Sequence, residues 1–146
     1  MGQLAATITS NWERNDTEFE QIGTGFASAP NSSNGHWTFP STGKWLIQVH
    51  WTGYRSTGNT YSGLHYCHAM NDGNQSNGFD LMTSHVNVGR NEGSNTSFMQ
   101  AIFDVTDVST HKILFGYYDY YTQSTVYRGD TGKNENSYTF LKLGDT

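Results

Sequence analysis

Between Lys44 and Trp51 the chain reads KWLIQVHW, with a large side chain at every second position. Trp45, Ile47, Val49 and Trp51 share one side of an extended segment, and Leu46, Gln48 and His50 share the other, because successive side chains of a strand point to opposite faces. The first side is aromatic and aliphatic and has to be buried. The second is mixed, a composition suited to a sheet face that meets a neighbouring subunit. Just upstream, His36-Trp37-Thr38-Phe39 reads as a short strand closed by Pro40, which has no N–H to offer a ladder. Ser41-Thr42-Gly43 then makes the turn between the two strands.

The same periodicity lays out the rest of the chain. A weakly alternating stretch at 4–10 predicts a first strand. The charged segment 12–21 predicts a turn into a short strand at 19–22, and the Gly/Ser/Asn-rich segment 23–34 predicts a loop with one further strand at Phe26. Residues 52–63 read as loop. Strands follow at 64–70 and 79–88, joined by Asn71-Asp72-Gly73-Asn74, a strong turn signal. Residues 97–105 set Phe98, Gln100 and Ile102 against Met99, Ala101 and Phe103. After a turn at 107–110 a long strand runs through 112–121. A polar excursion at 122–136, with Gly129-Asp130-Thr131-Gly132 at its tip, leads to a closing strand at 138–143. That last strand is apolar, so it is expected in the middle of a sheet, since an exposed apolar edge invites aggregation.

Composition narrows the class. The 146 residues make one domain, 1–146, large enough for a core. Two prolines and sixteen glycines leave the turns to Gly, Asn and Asp, and the 14% aromatic share suits pleated, half-buried surfaces. With strands spaced by turns and no convincing helix, the fold class is all-β, a two-sheet antiparallel sandwich or jelly roll. The formal charge of −5 and the lack of a Lys/Arg cluster argue against nucleic acid as a partner. No apolar run approaches membrane-helix length, so no membrane insertion is expected. Met1-Gly2-Gln3 does not open a signal peptide. Cys67 is the single cysteine, so an intrachain disulfide is impossible and packing must carry the fold.

Phe39-Pro40 followed by Gly43-Lys44-Trp45-Leu46-Ile47, with His50 close behind, resembles the strand-turn-strand signature of the complement-q and tumour-necrosis-factor jelly rolls. Residues 66–74, ending in Asn-Asp-Gly, and the closing 137–143 resemble that family's later hairpin and last strand. Three further stretches, at 40–46, 103–112 and 140–146, are similar to small jelly-roll domains of marine bacteriophage structural proteins. The resemblance implies a homotrimer packed around an axis through one sheet. Carried over by position, Leu46, Gln48 and His50 look toward that axis, with Thr139 and Leu141 from the last strand, while Trp45, Ile47, Val49 and Trp51 fill the core of each copy. It also implies a virion location, other virion proteins as partners and contact with a host surface.

Candidate chemistry adds little to this. The acids mostly sit beside Gly, Asn, Ser or Thr, where Asp makes turns, and no Gly-x-Ser-x-Gly nucleophile motif is present. No catalytic residue is assigned and no enzyme is expected. His65 and His68, three apart on a strand, point to opposite faces and cannot chelate together, so neither a metal nor another cofactor is assigned. Three copies of His50 around an axis form the one arrangement that would suit a metal or anion, although a hydrogen-bonded interface histidine explains it more simply. Among the tyrosines, Tyr118 and Tyr120 fall on one side of their strand. With Tyr127 they are the candidates for stacking on host glycans, which leaves a carbohydrate-binding module as the alternative reading.

Overall fold

The computed structural model describes residues 4–12, 25–55, 61–88, 93–119, 126–127 and 136–146. Among these residues nine strands follow in order: β1 (Leu4–Thr7), β2 (Trp37–Thr38), β3 (Gly43–Arg55), β4 (Tyr61–Met70), β5 (Phe79–Val88), β6 (Gly93–Val105), β7 (Lys112–Asp119), β8 (Val126–Tyr127) and β9 (Ser137–Gly144). A single 3-10 turn, Gln75–Asn77, is the only helical element among the described residues, and the Asn74 side chain caps it by accepting from the Ser76 N–H.

All the pairings are antiparallel and form two sheets. The first runs β1-β7-β4-β5, with β2 also pairing β7. The second runs β6-β3-β9, with β8 pairing the far end of β3. The chain crosses between sheets after β2, after β3, after β5, and on either side of β7.

The inward faces meet in a core rich in rings. Trp45, Ile47, Val49 and Trp51 of β3 are buried, together with Met99 and Phe103 of β6, Ile113 and Phe115 of β7 and Cys67 and Ala69 of β4. Phe140 of β9 stacks on Phe26 with centroids 4.1 Å apart, and Tyr138 packs edge-on against Trp12 at 4.5 Å. The strand expected at Phe26 is absent. Phe26 instead plugs the sandwich from a loop, where Phe39, Trp45 and Phe140 surround its ring.

Two other expectations are corrected. The loop expected over 52–63 is shorter, because β3 continues to Arg55 and β4 begins at Tyr61. Pairing with β6 extends β3 through Thr52 and on past Gly53, which has little strand preference of its own. The closing strand also does not sit mid-sheet: among the described residues β9 pairs with β3 alone. A register irregularity at Lys44/Trp45 and the exposed Lys142 lie along it, both features that discourage edge-to-edge pairing. The strand expected at 19–22 and the tip at 129–132 lie outside the described residues.

Two glycines are required by close approach. Gly43 opens β3 at φ 136, and a side chain there would lie 2.5 Å from the Gly144 carbonyl oxygen. Gly116 on β7 lies beneath Tyr66, and a methyl group there would collide with the phenol ring and come within 2.6 Å of the Ala6 carbonyl. Ala6 lies in β1, so the collision is partly with backbone. Gly116→Ala is expected to cost about 2 kcal/mol or more, read as a lowered urea midpoint with an unchanged slope.

His65 lies fully buried on β4, its ring 4.0 Å from that of Trp51. Burial lowers its pKa from 6.5 to about 3. Between those values the unfolded chain holds a proton that the folded chain refuses. The stability from neutral His65 is therefore complete above about pH 6.5 and falls by about 1.4 kcal/mol per pH unit below it. Urea unfolding at pH 7.5 and pH 5 should differ by about 2 kcal/mol from this group, and His65→Leu should remove that part of the difference. An undiminished difference in the variant would assign the loss to other groups.

Candidate assembly face

The outward side of the β6-β3-β9 sheet is built in rows set by strand register. Leu46 stands between Ile102 and Leu141, Gln48 between Gln100 and Thr139, and His50 between Phe98 and Ser137. At one end Lys44 lies opposite Asp104, and at the other the Thr52 and Thr96 hydroxyls are 3.0 Å apart. The apolar members are in contact with water: Ile102 is 58% exposed, Phe98 55% and Leu141 52%. Leu143, beyond the irregularity, is also exposed. Single exposed apolar residues are ordinary, whereas several on one continuous face mark a surface that something covers.

Within this face Gln48 Nε2 donates to Gln100 Oε1 at 3.1 Å. Leu46, Gln48 and His50 are half-buried, and Thr139 is exposed. The structure thus brings together on one face the five residues expected there, and adds Phe98, Gln100 and Ile102, which sequence reading left unassigned. Their alternation was visible. Nothing local said that Phe98 and Ile102, rather than Met99 and Phe103, would face out, because that depends on the pairing of β6 with β3.

The tyrosines are arranged differently. Tyr118 is half-buried with its ring tilted against Tyr66 at 5.0 Å, over Met70 and Leu114 on the outer side of the first sheet. Tyr120 lies outside the described residues. Tyr127 is placed in β8, paired with Gly53.

Carboxylates and histidines with resolved partners serve turns. Asp72 accepts from the Asn74 N–H at 2.8 Å and Asn77 Nδ2 at 2.7 Å, and these hydrogen bonds, that from Asn77 foremost, hold its carboxyl below the usual range. Asp107 is lowered in the same way by Ser109. His68 Nδ1 lies 3.0 Å from Asp80 Oδ1 and its Nε2 3.1 Å from the Gln75 carbonyl oxygen, which ties the 3-10 turn to β4 and β5. His65 points into the core and His68 away from it. Cys67 is buried, and that burial pushes its thiol pKa up, away from the thiolate. Among the described residues no group of three or more His, Cys, Asp or Glu is placed to hold a metal ion, and no helix is long and apolar enough to cross a membrane. No family model and no curated protein matches the chain.

Proposed function

We propose that the chain is a non-enzymatic, homotrimeric jelly-roll module of a bacteriophage virion, the head of a tail fibre or a capsid or tail decoration that meets other virion proteins and the host surface. The observation that carries the trimer is the apolar row Ile102-Leu46-Leu141, its two outer members exposed, with exposed Phe98 beyond the amide row on the same outward side of β6-β3-β9. Strand order supports the jelly-roll reading: the order β9-β3-β6 in one sheet and β1-β7-β4-β5 in the other, with β4 and β5 the one hairpin within a sheet among the described residues, is compatible with the two Greek keys of that architecture. The phage assignment rests on the motif resemblance at 40–46, 103–112 and 140–146.

A second copy suits this face better than a protein of opposite charge, because the middle of the face is uncharged and pairs apolar with amide groups. Stable obligate interfaces bury about 2,000 Å² or more and resemble a domain core cut in two. The lectin alternative has less support, since Tyr118 spends one side of its ring on Tyr66 and is only half-exposed.

Light scattering on the purified protein at micromolar concentration tests the reading. The expected particle has three times the 16.3 kDa chain mass, and a stable monomer overturns it.

A further inference from the structure

We infer that Gln48 and Gln100 form the register lock of the assembly, a polar pair set in an apolar face to admit one alignment of the copies. The inference rests on the trimer reading and adds the residues that give it specificity. In each copy Gln48 Nε2 donates to Gln100 Oε1 at 3.1 Å. That bond leaves Gln48 Oε1 as an acceptor and Gln100 Nε2 as a donor, side by side on the outward face. If both amides turn over together, donor and acceptor exchange places and the face still presents one of each. The surface is therefore complementary to itself when copies meet head to tail, with the donor of one amide pair against the acceptor of the next. A closed ring of such contacts leaves no amide unpaired.

The neighbouring rows explain why this selects a register. On one side of the amide row stands Ile102-Leu46-Leu141, and on the other Phe98-His50-Ser137. Same-side residues on a strand repeat every ~6.6–6.8 Å. A slip by one repeat sets each amide pair against leucine and isoleucine or against a phenylalanine ring. Closing the interface then buries amide groups without partners, which is costly. A wholly apolar face would slide and would accept other numbers of copies. A single polar position among apolar contacts is known to specify register and copy number at some cost in strength.

The test compares wild type with Gln48→Met, Gln100→Met and the double variant, all close in volume to the native side chain. Each side chain faces outward, and far-ultraviolet circular dichroism checks that the fold is kept. Native mass spectrometry reads copy number, and dilution reads the dissociation constant. Each single variant strands the remaining amide at the interface and is expected to weaken the trimer about tenfold or more. The double variant is expected to recover or exceed wild-type strength while spreading into dimers, tetramers or larger forms. If the wild type is a trimer and either single variant holds as tightly, or the double variant stays strictly trimeric, the lock is wrong and the trimer stands. A monomeric wild type instead overturns the trimer reading, and the lock with it.

Discussion

Leu46→Asp is expected to abolish the proposed trimer and leave monomers. The side chain is the middle of the row Ile102-Leu46-Leu141, on the central strand of a three-strand face. In one copy it faces away from the core and is half-buried by its neighbours, so a carboxylate there keeps water and the monomer stays folded. In a trimer the same substitution carries three like charges into a dry contact and removes three apolar side chains from it. Truncations at the centre of an interface cost ~2–4 kcal/mol each, and charge burial adds to that. The dissociation constant should rise by a factor of about a thousand or more. Mass photometry across a dilution series measures it. A variant that remains trimeric at low micromolar concentration would show that the copies meet elsewhere.

Phe115→Ala is expected to be the most damaging truncation in the fold itself. Phe115 is fully buried on β7 and touches three rings from two segments: Tyr138 of β9 at 4.6 Å, with Phe140 of β9 and Trp12 each at 6.1 Å. It joins the first sheet to β9 of the second. Removing a buried phenylalanine ring costs ~3–5 kcal/mol, a large part of the 5–15 kcal/mol that holds a typical domain. The melting midpoint should fall by about 10–15 °C. The rigid aromatic surroundings give the cavity little chance to collapse, which favours the upper part of the range. A fall of only a few degrees would indicate that Trp12 and Tyr138 close over the gap.

How far these features were visible in the sequence depends on whether they are local. The alternation of β3 was legible because its two sides differ so strongly that the chain tolerates only one way of facing. The hairpin of β4 and β5 was announced by Asn71-Asp72-Gly73-Asn74. The length of β3 was not legible, because Thr52 and Gly53 are held in the strand by Thr96 and Asn95 across the ladder, forty residues or more away. Which side of β6 faces out was hidden for the same reason. Phe98 and Ile102 are as apolar as the residues that were buried, and only the register with β3 separates them. Phe26 shows the opposite limit: its loop has no periodicity, so its place in the core follows from the shape of the space that Phe39, Trp45 and Phe140 leave. The outward set on β3 was readable as one side of the strand because it mixes leucine with amide and imidazole, while the half-buried state of Tyr118 depends on a partner, Tyr66, on another strand.

The last strand fastens to the first long one, with His50 opposite Ser137 and Leu46 opposite Leu141. About ninety residues separate these partners, so the second sheet is closed by contacts of long sequence range, which form slowly. At translation rates of about 5–20 residues per second, the nascent β3 waits several seconds beyond its own emergence before β9 exists. Even once β6 has been made, Ile47 and Val49 lack their partners Phe140 and Tyr138 until β9 follows. The second sheet is therefore completed only once β9 has emerged from the ribosome.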